Sequence, residues 1–80
     1  MNEEFKSAVS LYESGQLSKS KKICEKILKT NSNHFDSLRL LSIIEYLKKN
    51  YQEALKLINS AIKINSNNAI VYNDKGILYL

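Results

Sequence analysis

Cys24 and His34 are the single thiol and the single imidazole of this chain, so covalent or proton-transfer chemistry would start from them. Nucleophilic catalysis needs a thiolate beside a base, and a metal needs several converging His, Cys or carboxylate ligands. The sequence offers neither pattern. Cys24 falls on the apolar face of its segment with Leu17, Ile23, Ile27 and Leu28, and reads as an inert core residue. His34 follows Asn33 in a turn and reads as a cap or a solvent-exposed residue. Glu3 and Glu4 are neighbours at a helix start, not an acid/base pair facing across a cleft. No His-Glu-x-x-His, Cys-x-x-Cys, glycine-rich phosphate loop or nucleophile elbow is present. The expectation is a protein that is not an enzyme and uses no cofactor and no metal.

Composition narrows the remaining classes. Eighty residues allow one domain at most. A hydrophobic fraction of 44% with 25% charged residues is that of a globular chain rather than a disordered one. A lone cysteine cannot form an internal disulfide, and the acidic, polar start Met1-Asn2-Glu3-Glu4 is not a secretory signal. No apolar run reaches the length of a membrane span. These features together lead to the expectation of a cytoplasmic protein without a membrane partner. The net charge is +4, but eleven of the twelve bases are lysine and only Arg39 is arginine. Readers of bases and phosphates favour arginine forks, so nucleic acid is not the expected partner.

The elements that position these residues recur along the chain. Lys29-Thr30-Asn31-Ser32-Asn33-His34 returns as Lys63-Ile64-Asn65-Ser66-Asn67-Asn68, an offset of 34 in the numbering (63 − 29 = 34). Tyr12/Tyr46 and Lys22/Lys56 match at the same offset. A fixed period in this range marks helical hairpins that must stack to bury their apolar faces. Apolar residues recur with helical spacing in Leu17, Ile23, Ile27, Leu28 and again in Ala54, Leu57, Ile58, Ala61, Ile62. Gly15 is suited to a left-handed helix end, Asn50 with Glu53 fits a variant capping box, and the Asn-Ser-Asn clusters read as loops and caps. The pattern predicts helices over 2–14, 18–30, 35–48, 52–64 and 69–80. Segment 35–48 is apolar nearly all round and belongs in the centre of the stack.

These residues resemble the tetratricopeptide repeat, a helix-turn-helix unit of about 34 residues with small and aromatic residues at set positions. The resemblance covers the whole chain as repeats 1–34 and 35–68 and a half repeat 69–80. Leu38, Leu41, Ser42, Tyr51, Ala54, Ile58 and Ala61 carry it in the second repeat, and Tyr72, Gly76 and Tyr79 in the half repeat. The first repeat keeps Ala8, Gly15, Leu17 and Ile27, with Ser20 and Cys24 where alanine and an aromatic are usual. Ser20→Ala is accordingly expected to be neutral or stabilising. Serine (Ser32, Ser66) stands for the family's proline and Lys49 for the glycine of the second turn. The resemblance implies an all-α solenoid of five antiparallel helices that binds protein or peptide in its concave groove. By residue-to-residue correspondence that groove is lined by Phe5, Val9, Tyr12, Arg39, Leu40, Ile43, Tyr46, Leu47, Asn73, Asp74 and Ile77.

Two specialisations of the family do not fit. The carboxylate clamp of chaperone adaptors would fall on Phe5, Val9, Leu40, Ile70 and Asp74. The asparagine ladder of the O-linked N-acetylglucosamine transferase superhelix would fall on Lys6, Leu40 and Asp74. What remains is an apolar groove for an apolar or amphipathic segment. Residues 69–80 carry Val71, Tyr72, Ile77, Leu78 and Tyr79, more apolar surface than one neighbour can cover, which suggests a homo-oligomer through this last helix. The alternative is the N-terminal tetratricopeptide part of a larger bacterial enzyme, such as a glycosyltransferase or a sulfotransferase.

Overall fold

The structure is a computed structural model that describes residues 2–64. Four α-helices make up the fold: α1 (Asn2–Glu13), α2 (Leu17–Thr30), α3 (Phe35–Leu47) and α4 (Tyr51–Ile64). Each bound lies within one residue of the sequence expectation. The fifth expected helix, 69–80, lies outside the described residues, as do Asn73, Asp74 and Ile77 of the expected groove.

The connections are short, so successive helices fold back on each other. Ser20 of α2 meets Ala8 of α1, and Lys26 meets Glu4, so α2 runs back along α1. Helix α3 packs on α2, on α4 and on one side of α1, whereas α4 packs only on α3 among these helices. Helix α3 is thus the centre of the fold.

Two turns reverse the chain within the hairpins, and they are built alike. In the first, Gly15 N donates to Tyr12 O at 3.0 Å and Gln16 N to Leu11 O at 2.8 Å. In the second, Lys49 N donates to Tyr46 O at 2.9 Å and Asn50 N to Glu45 O at 2.8 Å. Every donor and acceptor is shifted by the offset of the sequence repeat. Both turns are Schellman motifs, which need one residue in the left-handed region after the helix. Gly15 takes that role at φ 84° and Lys49 at φ 68°.

Burial follows the same offset. Ser20, Cys24 and Ile27 are the buried residues of α2, and Ala54, Ile58 and Ala61 those of α4. Ala8 and Ser42 correspond in the same way, and both are buried. These small residues let the paired backbones approach closely. Ser20 uses its hydroxyl there: Oγ donates to Ala8 O at 2.7 Å inside the first hairpin. The expectation that Ser20→Ala is neutral is corrected by this bond, which an alanine would remove.

The offset also shows why α3 is central and α1 is not. Ser37, Leu40, Leu41 and Ile44 are buried in α3, while their counterparts Glu3, Lys6, Ser7 and Ser10 are exposed in α1. The core forms two clusters. One gathers Ala8, Cys24, Leu40, Leu41 and Ile44, and the other Leu38, Ile58 and Ala61, with Leu28 and Leu57 packed against both. Phe5, Val9 and Tyr12 of α1 and Leu17 at the start of α2 pack against the first cluster.

Between the hairpins, Asn31 and His34 set the entry to α3. Asn33 N donates to Asn31 Oδ1 at 3.3 Å, and Ser37 N donates to His34 Nδ1 at 3.1 Å. His34 is therefore the N-cap of α3 through its ring, with the ring proton on Nε2. Its ring also lies 5.5 Å from that of Phe5 at a tilt of 55°. Asn50 differs from its expected capping-box role, because its amide turns back and donates to Glu45 Oε1 at 2.8 Å.

Candidate functional site

Helices α1 and α3 lie side by side and point the same way, because α2 runs back between them. Their facing sides leave a concavity of about 410 Å³. Phe5, Val9, Tyr12 and Glu13 line it from α1, and Asp36, Arg39, Leu40 and Ile43 from α3. Helical spacing accounts for the set: Phe5, Val9 and Tyr12 follow i, i+4, i+7 on one stripe, as do Asp36, Leu40 and Ile43 on another.

Six of the residues expected in a groove come together here: Phe5, Val9, Tyr12, Arg39, Leu40 and Ile43. Their exposure is unequal. Leu40 is only 7% exposed and belongs to the core cluster with Ala8, Cys24, Leu41 and Ile44. It lines the concavity as its floor and is held there by core packing. Phe5, Val9, Tyr12, Arg39 and Ile43 are partly exposed. Tyr46 and Leu47 lie outside the lining. Tyr46 packs edge-on against Tyr51, with ring centroids 5.5 Å apart, and Leu47 is half-exposed at the end of α3.

Glu13 and Asp36 complete the lining, and sequence reasoning passed over both. The readable signal was at Glu13. A carboxylate in the last turn of a helix opposes the helix dipole, so stability does not explain its presence. Asp36 gave no such signal, since an acid in the first turn of α3 suits the dipole.

A second polar feature lies away from the groove. Lys21 Nζ is 2.8 Å from Glu45 Oε2, and Asn50 donates to the other oxygen of that carboxylate. Glu45 is 2% exposed. Burial alone would push its pKa up. Hydrogen bonds from Lys21 and Asn50 and the charges of Lys21 and Lys48 outweigh that, and its pKa falls below the ordinary glutamate value. The same hydrogen bond raises the pKa of Lys21, against a smaller opposing effect of its own burial. The trio joins α2, α3 and the following turn, so its role is to fix the two hairpins on each other.

The remaining reactive groups are scattered. Burial, helped by the nearby Glu25 charge, pushes the Cys24 thiol up to about 11, so it is almost wholly protonated at neutral pH. His34 is occupied as a cap. Among the described residues, no three His, Cys, Asp or Glu side chains gather as a metal site would require.

The lysines of α2 lie on its outer face, where Lys19, Lys22, Lys26 and Lys29 are all exposed. A shallow hollow of about 620 Å³ there is lined by Lys22, Glu25, Lys26, Leu28 and Lys29. The face is not uniformly basic. Glu25 sits within it, and Lys26 Nζ pairs with Glu4 at 3.1 Å. Among the described residues, no helix is long and apolar enough to cross a membrane. Compared with known proteins, the chain matches no family model and no curated sequence.

Proposed function

We propose that this chain is a non-catalytic interaction module that binds a protein segment, extended or helical, in the groove between α1 and α3. The observation that carries the reading is the lining of that groove. Partly exposed Phe5, Val9, Tyr12 and Ile43 surround a rigid, core-packed floor at Leu40. Apolar residues on a preformed surface favour association, because a partner that covers them releases water without reordering the protein.

The stacked-hairpin part of the proposal is an α-solenoid of the tetratricopeptide kind, working in the cytoplasm. It is supported by the turn hydrogen bonds and buried positions that return at the offset of the sequence repeat. Self-association through residues 69–80 belongs to the same proposal, and light scattering over a concentration series tests it: a monodisperse monomer at high micromolar concentration removes it.

A photo-crosslinking amino acid placed at Val9 or Ile43 tests the groove, with Lys22 on the outer face as the control. Crosslinks to a shared partner from positions 9 and 43, lost on Phe5→Glu, are the expected result. Crosslinks from position 22 alone would move the binding surface to the outer face of α2 and overturn the reading.

A further inference from the structure

The groove carries one charge that the fold does not need and a second that faces it from the neighbouring helix. Glu13 stands where a negative charge opposes the dipole of α1. Asp36 stands on the facing helix, towards the other end. Both are exposed, and neither belongs to an ion pair among the described residues, where Lys21–Glu45 and Lys26–Glu4 form. Among the described residues Arg39 is the one cation of the lining, and it is already engaged. Phe5, Val9 and Ile43 therefore lie between two exposed carboxylates, in a chain whose net charge is +4. The local sign is opposite to the global one.

We propose that the groove selects a short peptide whose apolar residues are bracketed by lysine or arginine. This inference rests on the reading of the groove as a peptide site. Apolar side chains of the peptide cover Phe5, Val9 and Ile43, and its cationic ends meet Glu13 and Asp36. The spacing follows from the repeat. Asp36 corresponds to residue 2 of α1, so it and Glu13 differ by eleven residues of helical rise (13 − 2 = 11), or about 16 Å, on helices about 9 Å apart, which separates them by about 19 Å. An extended peptide covers about 20 Å in six residues, and residues six apart point to the same face. The preferred ligand therefore has basic residues about six positions apart, with apolar residues alternating between them on that face. An acidic peptide is excluded by the same carboxylates, which would face like charges.

Three synthetic peptides test this on the 80-residue chain labelled with nitrogen-15. They share the core Ser-Leu-Ser-Leu-Ser and carry lysine, glutamine or glutamate at both ends, each with blocked termini. The readouts are the amide shifts of Phe5, Val9 and Ile43 and the Kd from each titration. The lysine peptide should bind about fivefold more tightly than the glutamine peptide, as two exposed ion pairs would give, and the gap should shrink with added salt. The double variant Glu13→Gln/Asp36→Asn should erase that preference, so that it binds the lysine and glutamine peptides equally. Equal binding of lysine and glutamine peptides to the unmodified protein overturns the charge selection and leaves the groove standing. Tighter binding of the glutamate peptide overturns it as well. If no peptide shifts Phe5, Val9 or Ile43, the groove reading falls with it.

Discussion

Lys49 occupies, at φ 68°, the same left-handed turn position that Gly15 occupies at φ 84° in the preceding hairpin. Glycine adopts this region at no steric cost, whereas an L side chain is disfavoured there by about 1–2 kcal/mol. A Cβ built on Gly15 would meet nothing within 4 Å, so only the backbone resists a side chain at that position. Gly15→Ala should lower stability by about 1 kcal/mol and Lys49→Gly should raise it by about the same amount. Urea midpoints with unchanged slopes check both. A stabilising Gly15→Ala would contradict the conformation of the turn.

Three buried serines make a second test, because each hydroxyl has a different fate. Ser20 Oγ reaches across the hairpin to Ala8, and Ser42 Oγ returns to Arg39 O in its own helix at 2.6 Å. Ser37 Oγ is buried without a hydrogen-bond partner. Ser20→Ala should cost about 1 kcal/mol, the usual net value of such a bond. Ser37→Ala should be neutral or stabilising, since it removes a desolvated hydroxyl and adds helix propensity. Equal losses at Ser20 and Ser37 in thermal and chemical denaturation would refute the distinction.

The Lys21–Glu45 pair predicts how stability follows pH. The pKa of Glu45 is lowered by folding, so its contribution is present above the unfolded glutamate value and is lost as pH falls through the lower folded value. The pKa of Lys21 is raised, so its contribution is present below the unfolded lysine value and is lost as pH rises through the higher folded one. The pair therefore supports the fold across the neutral range and weakens at both extremes. Lys21→Met should cost about 1–3 kcal/mol at neutral pH, because it leaves a buried carboxylate without its counter-charge. In Glu45→Gln the fall in stability on acidification should be shallower than in the unmodified protein. Denaturation midpoints from neutral pH down to below the ordinary glutamate value measure this, and parallel curves for the two proteins would contradict the role given to Glu45.

Ala54 has no exposed surface in its hairpin with α3. Ala54→Leu should overpack that contact and cost about 1–3 kcal/mol. Ala54→Gly should cost about 1 kcal/mol through helix propensity alone. An unchanged midpoint for the leucine variant would show that the helices do not approach closely at this point.

The helices are legible in the sequence because spacing and punctuation agree at each end. Gly15 closes the first helix, and the Asn31–His34 turn opens the third, so boundaries come within a residue. Six of the eight described residues that line the groove are legible through the tetratricopeptide resemblance. Contributions that depend on how two helices meet are not. Leu40 has the spacing of a groove residue, yet the approach of α2 sinks it into the core. Nothing in Leu-Leu-Ser-Ile-Ile-Glu-Tyr-Leu assigns a partner to Glu45, yet Lys21, on another helix, comes within 2.8 Å of it. A single helical period carries no information about a partner on a different helix.

The exposed Glu3, Lys6, Ser7 and Ser10 of α1 give the molecule a polarity for assembly. Repeating hairpins stack by offering each neighbour the same apolar contact, and identical copies could in principle add end to end into a filament. An incoming copy would have to strip water from these four residues, and desolvating them without partners costs free energy. This face of α1 therefore disfavours head-to-tail addition, and replacing Ser7 and Ser10 with the leucine and isoleucine of their α3 counterparts would weaken that bias.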